Sequence, residues 1–206
     1  MLKSWNTFST REKLTHLVLY LIGVGIMPAG AVLTINAHLG AGGDDALNFV
    51  LADLLHIRTS LAIYSTAFII LITAALIRKS YPRVETFISS FFLGISTDFW
   101  KTVLSGFEGK DFMTGLLLLV TGIIIIAVAV ASYMISIFPT NPSDDLILAL
   151  KERGCKIGIA KMSFDIICVV LAFLLGGEIG IGTIIVTLCL GPVIDFFHKY
   201  LNKLIK

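Results

Sequence analysis

Residues 116–138 read LLLLVTGIIIIAVAVASYMISIF, twenty-three residues without one charged side chain. As an α-helix at about 1.5 Å per residue this stretch is about 34 Å long, more than the roughly 30 Å of a bilayer's hydrocarbon core. It lies inside a longer uncharged interval bounded by Asp111 and Asp144. A helix that is apolar on every side has no face to show to water, so this segment reads as a membrane span. The rest of the chain shares its character. Of 206 residues, 56% are hydrophobic and 15% charged, against about 25% charged in an ordinary soluble domain. The expected fold class is an all-α membrane protein, one integral domain over residues 1–206, whose first partner is the lipid bilayer.

Working outward, uncharged stretches separated by short breaks predict six transmembrane helices near 14–37, 59–77, 86–106, 114–138, 159–176 and 179–197. The first uncharged run, Leu14 to Gly43, is much longer than the roughly 7–15-residue apolar region of a signal peptide, so it is read as a retained span. Lysine and arginine positions supply a direction. With the N-terminus in the cytoplasm, Lys3, Arg11, Lys13, Arg78, Lys79, Arg83, Lys151, Arg153, Lys156, Lys161, Lys199, Lys203 and Lys206 fall inside. Only Arg58, Lys101 and Lys110 fall outside. The expectation is a plasma (inner) membrane protein with both termini cytoplasmic. Two further segments, 44–57 and 144–156, have helical patterning but are too short to cross, and read as re-entrant or interfacial half-helices.

Sliding the chain on itself by about 97–100 residues brings unlike segments into register. Asp44-Asp45 falls on Asp144-Asp145, Ala62 and Ser65 on Ala160 and Ser163, Leu93-Gly94 on Leu190-Gly191, and Asp98-Phe99 on Asp195-Phe196. The chain therefore reads as two units, 14–107 and 114–201. Each holds three spans, an odd number, so the second unit is expected to enter the membrane inverted, an arrangement common in secondary transporters.

Two segments carry a resemblance. HLGAGGDDALNFVLADLL (38–55) is similar to the Gly-rich turn and half-helix of the YczE/YitT-like bacterial membrane proteins. The run from Asn141 to Pro192, with Leu175–Thr183 reading LGGEIGIGT and a closing Gly191-Pro192, resembles the same family more strongly. The resemblance covers nearly the whole chain. It departs at Glu85-Thr86, which stands for the Gly-Thr pair, at Lys161 for an arginine, and at Asn141 for a glycine. It implies a bacterial inner-membrane protein and no particular substrate.

The residues able to carry chemistry are mostly acidic. A carboxylate near the bilayer centre costs about 2.5–3.5 kcal/mol on insertion scales, so it faces a cavity or a partner. Asp165 stands four residues after Lys161, which predicts either an ion pair or a proton or cation site. Asp98 and Asp195 read as interfacial caps near Lys101 and His198, or as solute ligands. The pairs Asp44-Asp45 and Asp144-Asp145 open half-helices, where one aspartate of each is expected to accept first-turn N–H groups and the other to complement the helix dipole or to bind a cation or solute, with Asn48 beside them. Pro28 and Gly191-Pro192 each free a backbone carbonyl one turn earlier, and mark a kink or a lined path. Gly42, Gly43, Gly94 and Gly182 are candidate hinge positions, and Gly176 with Gly180 a close-packing pair.

Cys155, Cys168 and Cys189 have no metal-ligand spacing and read as small apolar residues; neither a metal nor any other cofactor is expected. Nucleic acid is not an expected partner at a net charge of +2. No metalloprotease, serine-hydrolase or nucleotide-binding motif occurs, so an enzyme is not expected. The leading expectation is a permease or exporter, as a monomer or a homodimer, moving a small polar or cationic solute by alternating access. The alternative is a non-transporting accessory that binds a partner protein.

Overall fold

The computed structural model describes residues 9–136, 138–155, 157–177 and 179–205. Lys3, Lys156 and Lys206, which entered the readings above, lie outside them. The described residues form eight helices and no strand: α1 (Thr10–Asn36), α2 (Gly43–Leu55), α3 (Thr59–Arg78), α4 (Thr86–Val103), α5 (Phe112–Ile135), α6 (Pro142–Glu152), α7 (Ile157–Leu174) and α8 (Ile181–Ile205). Each predicted segment is present. Four helices, α1, α3, α5 and α8, are long and apolar enough to cross a membrane. The helix ends correct the sequence reading where caps decide them. α1 starts at Thr10 rather than Leu14, because Ser9 accepts the Glu12 N–H while Glu12 accepts the Ser9 N–H. α8 runs on to Ile205, well past the expected 197, through a polar final stretch.

Exterior and interior are inverted relative to a soluble protein. Phe68, Ile69, Leu76, Leu117, Phe173 and Leu174 are all exposed, while Thr34, Asn48, Ser89, Ser90, Asp145 and Asp165 are buried. An apolar outer surface with polar groups turned inward is the arrangement a lipid solvent selects. This is a membrane protein.

The centre of the bundle is α1 packed antiparallel along α5. Gly23, Gly30 and Ala37 recur every seven residues on α1, and Gly115, Gly122 and Ala129 do so on α5. A Cβ on Gly30 would sit 2.7 Å from the Gly122 carbonyl oxygen, and one on Gly122 would sit 2.7 Å from the Gly30 oxygen. Gly23 faces Ala129 and Gly115 faces Ala37 in the same way. Small residues at this spacing let two backbones touch. The Gly176–Gly180 pair does not do this job. Gly176 has a positive φ of 86° beyond the end of α7, and Gly180 lies against the Leu39 carbonyl in a turn.

Around this pair, α4 packs on α1 and on α3, while α8 packs on α5 and on α7. The short helices cross over: α2 lies against α3 and α7, and α6 against α7 and α3. Pro28 leaves α1 continuous. The carbonyl of Gly25, one turn before it, accepts hydrogen bonds from Ser96 Oγ and Trp100 Nε1 of α4, both at 2.7 Å. These two bonds fasten α4 to α1 one turn before the proline. Pro192 likewise lies inside an unbroken α8. Cys168 is buried, but Cys189 is exposed on the outer face rather than in the core.

Candidate functional site

The N-termini of α2 and α6 meet inside the bundle. Ser143 Oγ of α6 donates to Asp44 Oδ2 of α2 at 2.6 Å. α6 starts cleanly because the Asn141 side chain accepts the Asp144 N–H at 2.8 Å and Pro142 occupies the first helical position. The residue that departs from the family pattern is thus the N-cap. α2 has only Gly42 at that position and no side-chain cap.

The expectation that one aspartate of each pair caps its own helix is therefore corrected. Gly42 and Asn141 hold the cap positions, and the aspartates that follow them, Asp45 excepted, are engaged elsewhere. Asp44 accepts from Ser143 and, at 3.3 Å, from Asn48 Nδ2. Asp144 accepts from the Tyr133 hydroxyl in a short contact. Asp45 makes no hydrogen bond or ion pair among the described residues. Asp145 turns the other way, toward Arg78 at 2.9 Å and Arg83 at 3.0 Å. Its carboxylate is 2% exposed, and Glu152 completes the cluster, 2.7 Å from Arg78 Nε.

Two cavities flank the meeting point. The first, about 50 Å³, opens toward α3 and α4 and is walled by Ile63, Ala67, Ser90 and Thr97. The second, about 40 Å³, opens toward α7 and α8 and is walled by Lys161, Asp165, Leu190 and Ile194. Each has room for a few water molecules or one small ion. Asp44 and Asp45 are on the walls of both. In the second, Lys161 Nζ holds Asp165 Oδ1 at 2.7 Å, the ion pair expected from their spacing. Lys161 therefore belongs to the interior of α7 and not to a flanking loop.

The structure brings Asp44, Asp45, Asn48, Asp144 and Asp165 to one place and leaves Asp98, Asp145 and Asp195 elsewhere. Asp98 accepts the Ser60 N–H at 3.2 Å, so it caps α3, whose own N-cap Arg58 makes no such bond. Lys101, as expected, is close by: it donates to Thr59 Oγ1 at 3.0 Å and lies 4.8 Å from the Phe49 ring centroid. Asp195 is exposed and lines neither cavity. The hinge glycines are packing positions. Gly42 and Gly43 have no positive φ, but Gly43 lies on the Asp165 carbonyl, a Cβ on Gly94 would sit 2.5 Å from the Tyr64 ring, and one on Gly182 would sit 2.6 Å from the Gly40 carbonyl oxygen. A Cβ on Gly191 would meet nothing. The reading of residues alone did not find Ser90, Asn141, Ser143 and Tyr133. Ser143 carried a signal, because it immediately precedes the second aspartate pair.

The charge at this centre is unbalanced. Four carboxyl groups, Asp44, Asp45, Asp144 and Asp165, surround one ammonium, Lys161. The partial positive ends of α2 and α6, about half a charge each, offset only part of the difference. A surplus of buried carboxylates is ordinarily matched by protons or by cations.

The chain was compared with known proteins. A family of unknown function, DUF6198, matches residues 14–199. The uncharacterized protein YyaS of Bacillus subtilis (strain 168) is 28% identical over 177 residues, covering 85% of this chain and 88% of YyaS. The uncharacterized membrane protein YczE of the same organism is 22% identical over 190 residues, covering 90% of this chain and 86% of YczE. An uncharacterized protein of Haemophilus influenzae is 28% identical over 116 residues, 56% of this chain and 50% of that protein. No solved structure matches. The resemblance read from the half-helix and the Leu175–Thr183 segment agrees with these relatives, and the chain belongs to the DUF6198 family of YczE-like membrane proteins.

Proposed function

We propose that this protein is a secondary carrier for a small cationic or protonatable solute, built from two inverted units that open the aspartate centre alternately to the two sides of the membrane. The observation that carries the reading is that Asp44 and Asp45 line both cavities, each cavity facing a different pair of helices. In this reading α1, α3, α4, α5, α7 and α8 cross the bilayer and both chain ends are cytoplasmic. α4 and α7, 18 residues each, make about 27 Å of helix, close to the hydrocarbon thickness. α2 and α6, 13 and 11 residues, reach about 20 and 17 Å and serve as half-helices.

The packing supports the inverted repeat. Exchanging α1 with α5, α2 with α6, α3 with α7 and α4 with α8 turns the α1–α4 contact into α5–α8 and α3–α4 into α7–α8. It likewise turns α2–α3 into α6–α7, α2–α7 into α6–α3, and α1–α5 into itself. The reciprocal approach of Gly30 and Gly122 lies where the pseudo-twofold axis would pass.

The test is accessibility. With Cys155, Cys168 and Cys189 replaced, a single cysteine at Ser143, on the wall of both cavities, is probed in sealed vesicles of each orientation with an impermeant thiol reagent. Labelling from both faces is expected. Labelling from one face only, under every solute and pH condition tried, would remove the alternating carrier and favour an accessory role with a protein partner.

A further inference from the structure

The two cavities differ in charge at one pair of equivalent positions. Ile63 and Ala67 of α3 correspond to Lys161 and Asp165 of α7, both at a separation of 98 residues. The α4 and α8 walls correspond at a separation of 97, Leu93 to Leu190 and Thr97 to Ile194. In the second cavity the chain supplies its own cation on a tether, the Lys161 ammonium. In the first cavity α3 presents only apolar side chains at the matching places, while the same Asp44 and Asp45 face it.

The first cavity also holds donor atoms without a protein partner. Ser90 is 1% exposed, lines the cavity, and makes no hydrogen bond among the described residues. A buried hydroxyl left unpaired costs about 1–3 kcal/mol, so such groups ordinarily have a partner. Asp45 on the same wall has none either. The rest of the polar lining, Asp44, Asn48, Thr66, Thr97, Asn141 and Ser143, offers side-chain oxygens, with the Met27 thioether beside them and neither histidine nor cysteine. Hard oxygen donors without imidazole or thiolate suit alkali cations rather than transition metals.

We infer that the first cavity is a binding site for a single dehydrated alkali cation, with Asp45 and Ser90 among its ligands, occupying the place that the Lys161 ammonium fills in the second cavity. The charge of that tethered group argues for a monovalent ion, as do the two helix N-termini, which disfavour a higher charge there. A volume of about 50 Å³, room for a few waters, accommodates a single small ion. The inference rests on the carrier reading and names its solute or coupling ion.

The experiment is equilibrium binding of radiolabelled sodium and rubidium to the purified full chain in detergent, at constant ionic strength set with choline chloride. Saturable binding of at least one of the two, at one ion per chain, is expected. Asp45→Asn lowers the affinity at least about tenfold, and Ser90→Ala about fivefold, a difference near 1 kcal/mol. The double variant Ile63→Lys/Ala67→Asp installs the tethered ammonium and abolishes binding. Absence of saturable binding of either ion to the folded wild-type protein overturns the inference. So does binding that Asp45→Asn and Ser90→Ala leave unchanged. The two failures are separable: a Ser143 cysteine that labels from both faces without ion binding sinks the cation site and keeps the carrier, whereas ion binding with one-sided labelling keeps the site and sinks the carrier.

Discussion

At the α3–α6 junction Arg78, Arg83, Asp145 and Glu152 close the gap between a long helix and a half-helix with three ion-paired contacts of 3.0 Å or less. At the equivalent α7–α2 junction the gap is open, a cavity of about 410 Å³ between Phe49, Asp53, Leu175 and Gly177. The cavities at the centre differ in the same manner, Lys161 and Asp165 in one and Ile63 and Ala67 in the other. Under the repeat proposed above, the two units share their helix packing but not their charges. The helix framework follows from small-residue contacts and apolar burial, which both halves share. Which side is closed, and which cavity carries its own cation, follows from a handful of ionisable side chains that only one half possesses.

The closed junction is where that difference is largest in energy. Replacing Asp145 by alanine leaves Arg78, 9% exposed, facing Arg83 without the carboxylate they share. Removing one partner of a buried ion pair costs about 3–5 kcal/mol, because the remaining charge is stranded. Thermal unfolding of the detergent-solubilised variant should report a loss in that range. A loss below about 1 kcal/mol would mean that Glu152 alone holds both arginines.

The central pair is next. Lys161→Ile leaves Asp165, 3% exposed, without its ammonium and is expected to cost about 3 kcal/mol. Lys161→Ile/Asp165→Ala gives α7 the side chains that α3 has at these places and should return to within about 1 kcal/mol of the wild type, a coupling that a double-mutant cycle measures. Additive losses would show that the pair also supports the fold through packing, and that the cavities are not interchangeable.

The shared framework is probed by glycine. Gly30→Ala forces a Cβ to 2.7 Å from the Gly122 carbonyl, and Gly122→Ala does the reverse. Each is expected to cost about 1–3 kcal/mol by overpacking, and by similar amounts if the two halves are equivalent. Gly25→Ala, on the same helix with nothing within 4 Å, should be neutral or stabilising by up to about 1 kcal/mol. Equal losses at all three would remove the close approach as their cause.

Much of this fold was legible because lipid imposes a coarse code. Uncharged length marks a span, and Asp44-Asp45 against Asp144-Asp145 marks two half-helices that the structure brings together through Ser143. The Lys161–Asp165 pair was legible from its spacing. What was hidden depends on contacts distant in sequence. Asp98 caps a helix 38 residues away, and Arg78 reaches Asp145 across 67. Neither separation has a local signature. The seven-residue stripe of Gly23, Gly30 and Ala37 was present in the sequence but silent, since glycine and alanine are common in apolar spans. Asp145 looked equivalent to Asp45 because the repeat aligns them, yet only Asp145 has arginines opposite it.

The smallest effect separates the two junctions by pH. The hydrogen bond from Arg78 holds the Glu152 carboxyl below the ordinary glutamate range of about 4.3, with the charges of Arg78 and Arg83 adding to it. A carboxylate lowered in the folded state contributes stability above its unfolded value, and loses it as pH falls through the lowered one. Glu152 is 47% exposed, so after solvent screening its share is below about 1 kcal/mol. The unfolding midpoint of Glu152→Gln should lie slightly under the wild type at pH 7, and the gap should close as pH falls below about 4. Asp53→Asn, at the open junction, should show no gap at either pH, since no ion pair faces Asp53 among the described residues. A matching gap at Asp53 would mean that the open junction also closes on a cation in solution, and that its ion pairs are alternative rather than missing.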